Sequence, residues 1–303
     1  METATSTSVL FQLFGEDGAF KMLSEAGFDA VDFGFDVDAP MWKIKNGDKS
    51  SVFFLSEDEL VRHYAPHKAA ADKNGIRIHQ AHAPFPSYIH ESPETTAFAL
   101  TAVRKCFPIL KMMECKNLVV HPCMGNYNEK LEPEAEWKLN IDFYSALIED
   151  AEKYGVTVCL ENMFNARRGK IYEASCSDPA EAAAYIDELN RIAGAKRFAF
   201  CYDTGHALLL GKDQYLTLKR LGDRVKVLHV HDNDGWDDQH VSPFMGRLDW
   251  DRLIKGLKSI GYKGVISLEV GNLCAWYPKE LLPEAFRLAA ACARYIGDRV
   301  EAE

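Results

Sequence analysis

Phe198-Ala199-Phe200-Cys201-Tyr202-Asp203-Thr204-Gly205-His206 is an apolar run that ends in a carboxylate, a small turn and an imidazole. Its length and aromatic content read as a buried strand whose C-terminal end is Asp203. The same form recurs along the chain. Residues 158–162 read Val-Cys-Leu-Glu-Asn, residues 227–232 read Val-Leu-His-Val-His-Asp, and residues 266–269 read Ile-Ser-Leu-Glu. Earlier, Ile78-His79-Gln80-Ala81-His82 and Leu118-Val119-Val120-His121 end the same way. Strand runs are expected at 8–14, 28–35, 76–83, 117–123, 156–163, 198–203, 225–232 and 264–270.

Helical patterns fill the gaps. Ser56 with Glu59 reads as a capping box. Asp178-Pro179 with Glu181 opens a second helix, Ser92-Pro93 a third, and a last helix is expected over 280–296. Strands alternating with helices imply an α/β protein with a parallel sheet, and eight such units in 303 residues suit a closed (β/α)8 barrel. A doubly wound sheet is the runner-up, but Gly15 and Gly18 do not form the Gly-rich phosphate turn such a fold carries after its first strand. No linker or composition break divides the chain, so residues 1–303 are expected to form one domain, with 1–7 as a flexible tail. Residues 39–51 and 124–131 read as inserted loops.

The strand-end residues His82, His121, Glu161, Asp203, His231 and Glu269 are spaced by 39, 40, 42, 28 and 38 residues, each about one strand–helix unit. In a barrel these ends converge on one face. Several carboxylates gathered there demand a cation, and a mixed oxygen and imidazole set suits Mn²⁺, Mg²⁺, Co²⁺, Fe²⁺ or Zn²⁺. His229 and His231 share a face because strand side chains repeat every second residue. His231, nearer the mouth, is expected as the ligand, with His229 one layer below. Asp238 and His240, two apart in the loop that follows, could both reach inward. The acidic run around them could equally be a solvated loop. His63, His67, His79 and His90 read as structural or solvent-exposed, and Arg167-Arg168-Gly169-Lys170 as a solvated loop.

Composition bounds the class. Apolar residues make up 47% and the formal net charge is −10, as for a soluble globular protein. No apolar run is long enough to span a membrane, and residues 1–8 lack a signal-peptide pattern. A cytoplasmic location is expected, with the eight cysteines reduced. The acidity argues against a nucleic-acid partner. Nothing marks an oligomer interface, although barrels of this kind often form homo-oligomers.

Leu160-Glu161-Asn162, Asp203-Thr204-Gly205-His206, His229-Val230-His231-Asp232 and Leu268-Glu269-Val270 together resemble the xylose isomerase-like TIM-barrel superfamily, over about 76–280. That group includes sugar epimerases and isomerases of the tagatose-3-epimerase type and the endonuclease IV family. The resemblance implies a divalent-metal sugar isomerase or epimerase with one metal, Mn²⁺ foremost, held by Glu161, Asp203, His231 and Glu269. Glu161 and Glu269 would also move the proton through a metal-stabilised enediolate of a keto sugar or related polyol. His206 would contact a substrate oxygen. His82, His121, Asp238 and His240 join the substrate side, and Trp236 could stack on the sugar. The endonuclease IV pattern implies instead three zinc ions on His82, His121, Glu161, Asp203, His206, His231, Asp238, His240 and Glu269, cleaving abasic DNA. Its demand for basic, wedge-bearing loops is not met. The ketohexose epimerases carry an arginine shortly after the seventh-strand histidine. Here that stretch is Asp234-Gly235-Trp236-Asp237-Asp238, which leaves dehydration or carbon–glycoside cleavage of a keto sugar open.

Overall fold

A computed structural model describes residues 1–7, 9–90, 92–125 and 131–302. In chain order the strands are β1 (Thr3–Ser6), β2 (Ala30–Gly34), β3 (Arg77–His82), β4 (Asn117–Val120), β5 (Thr157–Glu161), β6 (Phe164–Arg167), β7 (Lys170–Glu173), β8 (Phe198–Asp203), β9 (Val225–His229) and β10 (Ile266–Leu268). All but β6 and β7 form an eight-stranded parallel sheet in the order β10-β1-β2-β3-β4-β5-β8-β9. The sheet closes on itself. Val230 bridges Leu268, with Val230 N–H donating to Ser267 O at 2.8 Å and Glu269 N–H to Val230 O at 3.1 Å. The result is the expected (β/α)8 barrel.

The first strand is not where the apolar run placed it. Leu10 and the residues after it lie in helix α1 (Leu10–Ala26), and Ser8 lies outside the described residues. Thr3–Ser6, expected as part of a flexible tail, is instead a buried strand paired to β2 and β10. The physical reason is position. A strand deep in a barrel wall can be built from small β-branched and polar residues, and Thr3 and Thr5 are fully buried here.

Capping follows the sequence. The helix Glu57–Lys73 opens on the Ser56/Glu59 capping box, and the helix Pro93–Met112 on Ser92, whose hydroxyl accepts from Thr95 N–H. Asp178 accepts from Ala180 N–H and Glu181 N–H to start the helix Pro179–Ala193. The last helix, Leu282–Glu301, starts two residues later and ends five later than expected. The insertion at 39–51 holds a short helix, Met41–Lys45, anchored by buried Met41. Of the loop expected at 124–131, residues 126–130 lie outside the described residues.

Two features set the stage for the site. Val119, Cys159, Ala199, Cys201 and Val227 fill the barrel interior and form an apolar floor. Above it, β6 and β7 make a separate antiparallel hairpin at the mouth. The sequence reading missed this hairpin. Its turn, Arg168-Gly169, has positive φ at both residues, as tight hairpin turns do. All eight cysteines are free. No helix among the described residues is long and apolar enough to cross a membrane.

Candidate metal centre and mouth cavity

The strand ends deliver their side chains to one place, and the ladder register decides which. Asp203 pairs with His229 across β8 and β9, so those two side chains stand at the same level. Glu161, Asp203, His229 and Glu269 bring one ligand atom each within 4.8 Å of one another. His229 Nδ1 lies 3.1 Å from Glu161 Oε1 and 3.3 Å from Glu269 Oε2. In this arrangement His229, and not the expected His231, stands with the three carboxylates. Strand β9 ends at His229, so His231 falls two residues beyond it and turns toward Thr204 and Gly205. There His231 Nε2 lies 3.1 Å from both Asp203 oxygens and 3.9 Å from Asp238 Oδ1.

Two further groups flank this set. His82 Nε2 and His121 Nε2 are 3.0 Å apart and stand 3.7 Å and 3.3 Å from Glu161 Oε2. On the other side, ligand atoms of His206, His231, Asp238 and His240 also converge within 4.8 Å. His240 Nε2 is 2.8 Å from Asp238 Oδ2, and the His231 and His240 rings stack at 4.0 Å.

The tautomers of these rings are set by what holds their far sides. His82 Nδ1 donates to Ala83 O at 2.8 Å, His206 Nδ1 to Asn162 O at 2.8 Å, and His240 Nδ1 to Glu269 O at 3.0 Å. A carbonyl can only accept, so each Nδ1 carries a proton and each Nε2 is the nitrogen that faces the site. His229 is turned the other way. Its Nε2 donates to Asp32 Oδ2 at 2.8 Å, and Nδ1 faces the carboxylates. Gln80 Nε2 donates to the same Asp32 oxygen at 2.9 Å. Asp32 and Gln80 are fully buried and were missed by the sequence reading; the signal was a lone acid inside the apolar run 28–35.

Electrostatics agree with a tightly paired cluster. Burial would raise the Glu161 carboxyl, but His229 and His121 beside it hold it well below the usual range. Burial would lower His82, yet Glu161 pushes it up to about 9. His240 is likewise raised to about 9 against its burial, by Glu269 and Asp238.

Above the cluster opens a cavity of about 900 Å³. Its walls include His82, His121, Glu161, His206, Asp238, His240 and Glu269. Phe85 and Phe164 stand over the histidines, with Phe85 4.8 Å from the His121 ring and Phe164 5.0 Å from His206. Trp236 does not join them. It is 71% exposed and outside the cavity wall, because Asp234 Oδ1 accepts from Trp236 N–H and Asp237 N–H and curls that turn outward.

The family description "xylose isomerase-like TIM barrel" matches residues 20–292. The chain belongs to that family. It is 30% identical to the uncharacterized protein MJ1311 of Methanocaldococcus jannaschii over 213 residues, 67% of this chain and 68% of that one. Among solved structures it is similar to the apo 3-keto-D-glucoside 4-epimerase of E. coli, with TM-score 0.72, 19% identity, and 97% and 99% of the two chains covered. It is also similar to the IOLI protein with a bound zinc atom, with TM-score 0.67, 19% identity, and 99% and 98% covered.

Proposed function

We propose that the chain is a divalent-metal sugar isomerase or epimerase working on a neutral keto sugar or related polyol. One observation carries the metal. Four histidines have their far nitrogens tied off by Ala83 O, Asn162 O, Glu269 O and Asp32, so that all four present their other nitrogen inward among the carboxylates, where a bound cation would take the place of a proton. Such far-side partners are how proteins orient metal-binding imidazoles. Glu161 Oε2 supports it, being buried without a hydrogen-bond partner. Glu161, Asp203, His229 and Glu269 would hold the ion, with Mn²⁺ the first candidate and Zn²⁺ the one recorded in the IOLI structure.

The ion would supply Lewis acidity to a carbonyl and the hydroxyl next to it. The protein's own part is proton handling. Glu161 and Glu269 enter from β5 and from the end of β10, on different sides of the cluster. One would take the proton beside the carbonyl, and the other would return it to the opposite face. His206 Nε2 would contact a substrate oxygen. The apolar floor and the rings of Phe85 and Phe164 would give the reacting carbon apolar walls.

The cavity wall carries Asp32, Asp36, Glu161, Asp238 and Glu269 against Lys45 as its one lysine among the described residues. Beside its histidines the described wall offers no arginine, so it lacks the basic cluster that a phosphate backbone would call for, and an uncharged sugar fits it better. The similarity to an enzyme that epimerises a keto-glucoside points the same way.

A second reading keeps a specific observation. Three ligand groups, not one, are assembled among the described residues, two of them sharing Glu161 and His229. Two or three zinc ions would suit attack on a phosphodiester.

The deciding experiment incubates the Mn²⁺-loaded chain with D-fructose, D-tagatose, D-psicose and a 3-keto-glucoside in deuterated water. Deuterium beside the carbonyl, lost in Glu269→Gln, supports the first reading. No label in any sugar, with cleavage of abasic DNA by the zinc-loaded chain, overturns it.

A further inference from the structure

The hairpin of β6 and β7 is a wall with two sides. Side chains alternate along a strand. Phe164 and Ala166 face the mouth cavity, while Arg167 and Tyr172 line a second cavity of about 470 Å³. Asn165, which pairs with Tyr172 across the hairpin, borders both spaces, and so does Gly125. The two cavities therefore adjoin at the hairpin. The mouth cavity alone, at about 900 Å³, is of a size that encloses a ligand larger than one hexose.

The second cavity carries the chemistry that holds a hydroxyl-rich ligand. Glu136, Glu173, Asp178 and Glu181 stand in its described wall, with Arg167 as the one basic side chain. Four carboxylates against one guanidinium disfavour an anion, and the guanidinium among them disfavours a cation. The acids are only partly used within the chain. Glu136 Oε1 accepts from the Ser175 hydroxyl, Glu181 Oε2 from Cys176 N–H, and Asp178 Oδ1 from Ala180 N–H and Glu181 N–H. Glu173 Oε1 is paired with Lys212 Nζ. A carboxylate has about four acceptor positions, so each of these can take a sugar hydroxyl as well. Arg167 and Asn165 supply donors for sugar oxygens. Tyr172, 47% exposed, offers a ring with an apolar face and a polar tip.

We propose that this second cavity is a subsite for a second sugar unit, so that the substrate is a keto sugar joined to another sugar and not a free ketose. The inference rests on the sugar reading above and narrows it.

Ketose disaccharides test this. Maltulose, lactulose and isomaltulose are compared with D-fructose on the Mn²⁺-loaded chain in deuterated water. At least one should exchange the proton beside its carbonyl with a kcat/KM about tenfold or more above that of fructose. Arg167→Ala and Tyr172→Ala should each lower that preference about tenfold, and Tyr172→Phe, which keeps the ring, should retain it. Saturation-transfer NMR on the Mg²⁺-loaded chain gives a readout besides turnover. Protons of the second unit should be saturated by the native chain and not by the Arg167→Ala/Tyr172→Ala variant. Label in fructose that no disaccharide exceeds, or a second unit that is unsaturated with the native chain or still saturated with the double variant, overturns the proposal. No label in any sugar, with second-unit saturation that depends on Arg167 and Tyr172, would instead sink the catalytic reading and leave this subsite standing.

Discussion

His229 and Asp32 are joined by a 2.8 Å hydrogen bond from Nε2 to Oδ2, between side chains that are both buried and lie 197 residues apart in sequence. The bond crosses the barrel from β9 to β2. It fixes which nitrogen of His229 faces Glu161 and Glu269. Asp32 thus acts on the cluster without touching the cavity's reacting end, as a positioning residue.

Asp32→Asn tests that role. The amide keeps the shape but removes the charge and lets the side chain donate to His229, which would favour the wrong tautomer. Metal affinity should fall about ten- to a hundredfold, read by competition with a chromophoric chelator. Glu at this position is too long for the packed site and should not restore it. Unchanged affinity in Asp32→Asn would remove Asp32 from the metal's support.

The two neighbouring histidines separate cleanly. His229→Ala should lose bound metal at micromolar concentration, because Nδ1 of this ring sits among Glu161, Asp203 and Glu269. His231→Ala removes a partner of Asp203 outside that set, so it should weaken binding yet leave the ion. Elemental analysis of both variants decides. Metal retained in His229→Ala and absent from His231→Ala would restore the assignment read from sequence.

That contrast shows what the sequence could carry. The convergence of Glu161, Asp203 and Glu269 was legible because these acids end buried runs at matching positions in successive strand–helix units. His229 against His231 was not, since a period of two puts both on one face. The choice depends on the register that pairs Asp203 with His229 and on the closure through Val230 and Leu268, both long-range features. Thr3–Ser6 was misread for a related reason: its strand is held by neighbours on both sides, not by its own hydrophobicity. The pairing of β6 with β7 was hidden because Arg167 to Lys170 look like solvated charge.

Gly205 is required by His231. A Cβ built there would stand 2.0 Å from His231 Cε1, and that ring is itself buried. Gly205→Ala should therefore cost about 1–3 kcal/mol in a urea melt, the usual range for overpacking. Adding His231→Ala should recover part of the loss. Two simply additive costs would mean that the clash is relieved elsewhere.

Away from the site, burial sets an acid limit on the fold. His67 lies edge-on to Phe11 at 4.8 Å and to Phe33 at 5.4 Å, and burial pushes its pKa down to about 4. His79 is lowered to about 4 as well, by burial and then by Arg77 beside it. In the unfolded chain both rings titrate near 6.5. Between about pH 6.5 and 4 the unfolded state therefore binds protons that the folded state does not, so stability falls as pH falls through that window. Above it, these two rings are neutral in both states and add no slope. Each should account for on the order of 2 kcal/mol across the window. His67→Gln should lower stability at pH 7.5, where its packing is lost, yet flatten the decline between pH 6.5 and 4.5 by roughly half of what the two rings supply. Urea midpoints at a series of pH values measure this. A variant whose midpoints run parallel to those of the native chain would show that His67 is already protonated in the folded state.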